Sequence, residues 1–165
     1  MLPLRQLLPP LTLRTTAGSV VRAWDFKQKK NLVIAFLHAG CARCEEYVRC
    51  LADGAAELAE RNAVALVVLA EAPSGTLADA LPPAILLGAE LSGRAARAYL
   101  GEEAISSNGR ERVGVFVADR YGELFAQWVA ASEEGLPDFA ELRRTLTQIE
   151  IDCEGCGISE WPREG

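Results

Sequence analysis

The stretch that decides the fold is residues 31–44, which read NLVIAFLHAGCARC. Its apolar run over Asn31–His38 is typical of a β-strand that is covered on both faces. Directly behind it, residues 42–61 place apolar side chains at intervals of three and four, which predicts an amphipathic helix. Cys41 and Cys44 therefore stand where a buried strand passes into the first turn of a helix.

The spacing of the two cysteines indicates a dithiol redox centre. The unpaired N–H groups and the dipole of a helix N-terminus stabilise an anion, so they lower the pKa of a thiol placed there. We expect Cys41 to be the attacking thiolate and Cys44 the resolving thiol that closes the disulfide. Arg43 is expected to favour the thiolate, whereas Glu45 and Glu46 oppose it. The alternative is that both cysteines are small buried hydrophobic residues.

Two further side chains near this motif have alternative interpretations. His38 is the only histidine and precedes Cys41 by three residues. It either exchanges a proton with the thiolate or is simply packed or solvated. Cys50 lies two turns into the predicted helix, at the edge of its apolar face. It is either a buried thiol that fills space, which the pattern favours, or a third redox cysteine.

A second pair of cysteines, Cys153 and Cys156, follows the last predicted helix. The sequence Cys-Glu-Gly-Cys-Gly resembles the metal-binding knuckle of rubredoxin and zinc ribbons, and a structural zinc ion needs four ligands. Cys41 and Cys44 complete that set only if the tail folds back or a second subunit contributes. The alternatives are a relay that accepts the disulfide from Cys41 and Cys44, and a tail whose cysteines are incidental.

The remaining pattern predicts an α/β domain over residues 1–151 and a short tail over residues 152–165. Strands are predicted over residues 11–13, 19–23, 31–38, 63–70, 84–87, 112–118 and 123–129, and helices over residues 42–61, 92–100 and 132–149. The strand–helix–strand order predicts parallel pairing. We therefore expect a central mixed β-sheet with helices on both faces and an N-terminal β extension. Most aromatic side chains, Trp24 among them, are expected in the core.

Composition limits the class of protein. The net charge of −6 argues against nucleic acid or an anionic membrane as a partner. No apolar run is long enough to span a bilayer, and the N-terminal ten residues lack the apolar core of a secretory signal. We therefore expect a cytoplasmic protein whose cysteines serve redox chemistry or metal binding. Because no glycine-rich phosphate loop is present, we expect no nucleotide cofactor.

Several segments resemble a known family. Residues 32–44, from the apolar strand to the cysteine pair, resemble the active-site region of thioredoxin-like proteins. Residues 11–33 are similar to the N-terminal extension of the redoxin branch, which includes the alkyl hydroperoxide reductase/thiol-specific antioxidant proteins. Residues 114–122 are similar to the late strand and hairpin of that branch. This resemblance, over roughly residues 11–150, implies a thioredoxin-like fold, a protein disulfide or a peroxide as substrate, and a thioredoxin-type reductant.

Some positions of that family carry other residues in this chain. The buried acid that accepts a proton in thioredoxin corresponds to Ala35, and the substrate-facing cis-proline corresponds to Val113. With Cys44 as the peroxidatic cysteine, the peroxiredoxin signature requires proline at Leu37 and threonine at Cys41. The resemblance therefore implies a thiol-disulfide oxidoreductase, with peroxide reduction as an open alternative. The rival function is a zinc-binding or interaction module on the same fold, without turnover, and a homodimer is open for either function.

Overall fold

The computed structural model describes residues 2–71, 81–102 and 112–152, which are arranged around a seven-stranded sheet. The strands are β1 (Thr12–Thr15), β2 (Val20–Arg22), β3 (Asn31–Leu37), β4 (Ala63–Leu69), β5 (Ile85–Ala89), β6 (Val113–Ala118) and β7 (Leu124–Ala130). The helices are α1 (Ala42–Asp53), α2 (Ala55–Glu60), α3 (Arg94–Leu100) and α4 (Phe139–Asp152), with 3₁₀ turns at Ala23–Phe26 and Glu133–Gly135. Within the described ranges, no helix has the length and apolar character that a membrane span requires.

The strand order in the sheet is β2-β1-β5-β4-β3-β6-β7. β3 pairs in parallel with β4, and β4 with β5, whereas the other neighbouring pairs are antiparallel. The hairpin of β1 and β2 extends the sheet beyond β5, as predicted for the N-terminal extension. β3 lies inside the sheet, and all seven of its residues are buried. The mixed sheet predicted from the sequence is confirmed.

Helices cover both faces of the sheet. Since successive side chains of β3 point to opposite faces, the strand contributes residues to both cores. Val33 and Ala35 belong to the core beneath α1, α2 and α4. Phe36 belongs to the opposite core, where its ring packs against Tyr99 of α3 and Phe116 of β6 with centroid separations of 5.0 and 5.9 Å. The predicted layers of helix, sheet and helix are therefore confirmed.

The helix predicted over residues 42–61 is divided at Gly54 into α1 and α2. A Cβ atom at Gly54 would overlap the ring of Phe139, the first residue of α4. Only a residue without a side chain lets α4 pack this closely against the junction. The prediction of one continuous helix is wrong, because the backbone leaves helical geometry at Gly54, with a φ of −92° and a ψ of 11°, and glycine is a poor helix former.

The last helix runs towards the amino end of β3. Before it begins, the Tyr47 hydroxyl of α1 donates a 2.8 Å hydrogen bond to the carbonyl of Pro137. Near its other end, Glu150 accepts a 2.6 Å hydrogen bond from the side-chain amide of Asn31, the first residue of β3. α4 begins at residue 139 rather than the predicted 132, because a 3₁₀ turn and Pro137 precede it.

Local turn geometry accounts for two further differences from the predictions. Trp24 is 66% exposed rather than part of the core, with the Lys27 ammonium 3.9 Å from its ring centroid. α3 begins at Arg94 rather than at residue 92, and its N-cap is Gly93 with a φ of 76°. The ends of the strands differ from the predicted ends by at most two residues. Apolar periodicity places the elements but does not specify these turns.

Candidate active site

The cysteine motif stands at the junction between β3 and α1, as predicted. Gly40 has a φ of 69°, which turns the chain from the strand into the helix. Cys41 is the N-cap of α1, and its Sγ accepts a 3.4 Å hydrogen bond from the N–H of Cys44. Cys41 is partly exposed, whereas Cys44 is 2% exposed. Of the two thiols, Cys41 is therefore the one that a substrate can reach.

Cys44 is held as a protonated thiol in the reduced protein. Its Sγ accepts a 3.4 Å hydrogen bond from the backbone N–H of His38. Burial raises the pKa of Cys44 to about 12, and although the N–H of His38 opposes this, Cys41 and Glu133 raise it further. A thiol with this pKa cannot attack a disulfide until a base removes its proton.

Glu133 is a member of the site that sequence reasoning missed. Its carboxylate, the His38 imidazole and the Cys44 Sγ place ligand atoms within 4.8 Å of one another. Glu133 begins a 3₁₀ turn that packs closely on β7, since a Cβ at Gly135 would lie only 2.5 Å from the Cβ of Ala130. No local signal marks this residue, because it reaches the cysteines only through the tertiary fold.

Arg43 lies beside the cysteines but directs its charge elsewhere. Its guanidinium forms an ion pair of 2.7 Å with Glu134 and a longer one of 3.8 Å with Glu133. Because 63% of the Arg43 side chain is exposed, its ion pair with Glu134 contributes little to stability. Arg43 therefore connects α1 to the 3₁₀ turn that carries Glu133, and the carboxylates of Glu133 and Glu134 balance its charge.

The other predicted site residues lie at different distances from this centre. Val113 is buried at the start of β6. Because the next residue, Gly114, pairs with Phe36, Val113 lies beside the carboxyl end of β3.

Cys50 is exposed, so the expectation of a buried thiol is wrong. The buried side chains of α1 are Cys44, Val48 and Leu51. Cys50 points away from them, about 100° around the helix from Leu51. Cys153 and Cys156 lie outside the described residues.

Comparisons with known proteins give matches among solved structures. No protein-family profile and no curated protein sequence matches the chain. The fold is similar to that of reduced Plasmodium vivax 2-Cys peroxiredoxin, with a TM-score of 0.72 and 15% identity over 92% of this chain and 98% of that one. It is also similar to Mycobacterium tuberculosis AhpC, with a TM-score of 0.73 and 16% identity over 98% of this chain and 99% of that one.

The chain has the thioredoxin-like fold of the redoxins. A third similar structure, described as a thiol:disulfide interchange protein DsbE from Chlorobium tepidum, gives a TM-score of 0.63 and 16% identity over 92% of this chain and 98% of that one. The resemblance inferred from the sequence is therefore confirmed for the fold. In this redoxin fold β1 and β2 form the N-terminal extension, and the cysteine pair follows the central strand β3. At these identities the reaction has to be argued from the site.

Proposed function

We propose that the protein is a cytoplasmic thiol-disulfide oxidoreductase that uses Cys41 and Cys44 as its redox pair. One observation carries this proposal: the partly exposed thiol of Cys41 caps α1, and its Sγ accepts a hydrogen bond from the N–H of Cys44, whose own thiol is buried. The position of Cys44 in the first turn of the same helix favours rapid closure of a disulfide.

The proposed reaction passes two electrons from the protein to a substrate disulfide. The Cys41 thiolate attacks one substrate sulfur, forms a mixed disulfide and releases the other sulfur as a thiolate, which takes a proton from solvent. Cys44 then loses its proton and attacks the Cys41 sulfur. The second substrate sulfur leaves, and the protein retains a Cys41–Cys44 disulfide. A dithiol reductant of the thioredoxin type returns this disulfide to two thiols.

Glu133 is the proposed proton acceptor for the resolving step. Ala35 occupies the family position of a buried acid and has no ionisable group. Glu133 brings a carboxylate to within 4.8 Å of the Cys44 sulfur from a different element of the fold. His38 has its imidazole in the same cluster and is the second group able to move this proton.

Reduction of a peroxide is the second candidate reaction, and the same exposed thiol supports it. The Cys41 thiolate would attack a peroxide oxygen to give a sulfenic acid and an alcohol or water. Cys44 would then condense with the sulfenic acid to form the disulfide and a second water. Disulfide exchange is preferred, because the proline and threonine of the peroxiredoxin signature are absent. With Cys44 as the peroxidatic cysteine those positions hold Leu37 and Cys41.

Single-turnover reaction of the reduced protein with a chromogenic aromatic disulfide tests the proposal. The Cys153→Ser/Cys156→Ser background restricts the reaction to the proposed pair and Cys50. We expect release of two aromatic thiols for each Cys41–Cys44 pair that forms a disulfide. Cys41→Ser should abolish rapid release, and Cys44→Ser should stop at a mixed disulfide with one thiol released.

Cys50→Ser is the matched control, since it removes an exposed thiol of the same helix. The rapid release of two aromatic thiols from the Cys41–Cys44 pair should equal that of the parent, and only the release from Cys50 itself should disappear. Unchanged release in Cys41→Ser would contradict the assignment of the nucleophile. Replacing the disulfide by hydrogen peroxide, with thioredoxin and its reductase as the electron donor, separates the two candidate substrates.

A further inference from the structure

Side chains of the kinds that bind transition metals meet at the active site. Ligand atoms of His38, Cys44 and Glu133 all lie within 4.8 Å of one another. Cys41 lies next to this cluster, since its Sγ accepts a hydrogen bond from the N–H of Cys44, but its sulfur is outside the group whose ligand atoms are within 4.8 Å of one another. Within the described ranges, these three residues are the one group of His, Cys, Asp or Glu with such spacing.

The charges in this cluster oppose one another when no cation is present. The side chain of Glu133 is 15% exposed, while that of its neighbour Glu134 is 74% exposed and forms the closer ion pair with Arg43. The carboxylate of Glu133 disfavours ionisation of the Cys44 thiol. A divalent cation reverses this effect, since it attracts the carboxylate and both thiolates together.

Backbone donors already point at both sulfur atoms. The N–H of His38 donates to the Cys44 Sγ, and the N–H of Cys44 donates to the Cys41 Sγ, each at 3.4 Å. Hydrogen bonds of this kind orient metal-bound sulfur atoms and stabilise their negative charge. The start of α1 thus supplies support for two thiolate ligands in addition to the ligand atoms themselves.

We propose that the reduced protein binds one zinc ion through Cys41, Cys44, His38 and Glu133. Two sulfurs, one imidazole nitrogen and one carboxylate oxygen are donors that zinc accepts. Ligand atoms of a tetrahedral zinc site lie roughly 3.3–3.8 Å apart, so side-chain shifts of about 1 Å bring His38, Cys44 and Glu133 together. Cys41, outside this group of three, completes the set by rotation of its side chain at the start of α1. Binding releases two thiol protons, and the bound thiolates are then withheld from disulfide attack.

This ligand set needs no cysteine from the tail. Zinc would hold the redox pair reduced and unreactive, and oxidation of the pair to a disulfide would release the ion. Metal binding and disulfide exchange are therefore two alternative states of the same sulfur atoms. Because binding is measured without a substrate, the zinc site and the oxidoreductase activity can fail independently.

Titration of the reduced, chelator-treated protein with Co²⁺ tests the site in the Cys153→Ser/Cys156→Ser background. A phosphine keeps the thiols reduced without competing strongly for the metal. We expect one Co²⁺ per chain, a thiolate-to-cobalt charge-transfer band, and the intense visible bands of four-coordinate cobalt. Zn²⁺ should displace the cobalt and abolish these bands at one equivalent.

Matched variants test each ligand. Cys41→Ser and Cys44→Ser should each weaken Co²⁺ binding by at least about 100-fold and reduce the charge-transfer band, because a thiolate ligand is lost. His38→Ala and Glu133→Gln should each weaken binding by about 10- to 100-fold. Glu134→Gln and Cys50→Ser, which change neighbouring exposed residues, should bind as the parent does.

Several outcomes would overturn the zinc site. These are loss of the charge-transfer band in the tail-substituted background, equal effects of Glu133→Gln and Glu134→Gln, or unaltered binding in His38→Ala. Circular dichroism of each variant identifies unfolding as a cause of weak binding. A protein that binds no cobalt but exchanges disulfides refutes the zinc site alone, and one that binds cobalt but exchanges none refutes the proposed function alone.

Discussion

Neutralising Glu133 should make Cys44 easier to ionise. The carboxylate lies within 4.8 Å of the Cys44 sulfur and raises its pKa. Over this distance Coulomb's law gives about 1 kcal/mol with the dielectric constant of water, and about 3 kcal/mol with an effective value of about 20. Burial of Cys44 is the largest cause of its raised pKa and Glu133 the smallest, so the lower figure applies.

The expected result of Glu133→Gln is therefore alkylation of Cys44 that is about fivefold faster. The sign follows because removing a negative neighbour lowers the pKa of Cys44 and raises its thiolate fraction at every pH below that pKa. At a pH of about 8, a thiol with a pKa near 12 is ionised to roughly 1 part in 10⁴, so the rate is proportional to this fraction.

Iodoacetamide labelling followed by peptide mass spectrometry measures the rate at Cys44. A Cys41→Ser background prevents prior reaction of the exposed thiol, and a chelator removes bound metal. Glu134→Gln is the matched control, since it neutralises a carboxylate that is 74% exposed and paired with Arg43. Equal rates in the Glu133→Gln and Glu134→Gln proteins would show that the Glu133 carboxylate does not act on Cys44.

Three further predictions concern turnover and packing. Cys41→Ser should abolish disulfide exchange with a small substrate, measured as thiol release, because it removes the attacking sulfur. Gly54→Ala should lower the urea midpoint, with a loss of about 1–3 kcal/mol, since a methyl group there meets the ring of Phe139. Tyr47→Phe should lower unfolding free energy by about 1 kcal/mol, because the hydrogen bond to the Pro137 carbonyl is lost.

Each of these has a contrary outcome. Residual exchange in the Cys41→Ser protein at the parent rate would exclude that residue as the nucleophile. An unchanged urea midpoint for Gly54→Ala would mean that α4 moves to admit the methyl group without a loss of unfolding free energy. Full stability in the Tyr47→Phe protein would mean that the chain before α4 is held by other contacts.

The sequence was sufficient to predict the centre of the fold. The apolar run of β3 and the helical periodicity behind it are local patterns, and the cysteine pair marks where one ends and the other begins. The parallel pairing of β3 with β4 then follows from the connecting helices, since such crossovers restrict topology. These features depend on residues close together in the chain.

Features that depend on distant contacts could not be predicted in this way. The close packing of Phe139 against Gly54 joins residues far apart in the chain, and Glu133 reaches the cysteines from the turn that follows β7, two strands away from β3. The exposure of Cys50 depends on which side of α1 faces the sheet. For a residue at the edge of the apolar face, the sequence pattern does not determine whether the side chain faces the sheet or the solvent. No spacing within one element contains this information.

The hydrogen bond between Glu150 and Asn31 anchors the end of α4 one full strand length, about 20 Å, from the carboxyl end of β3. The last described residues of the chain therefore lie near the amino end of β3, whereas Cys41 follows its carboxyl end. A relay that passes the disulfide from Cys41 and Cys44 to the cysteines after this helix would have to bridge the length of β3, either within one chain or between two chains.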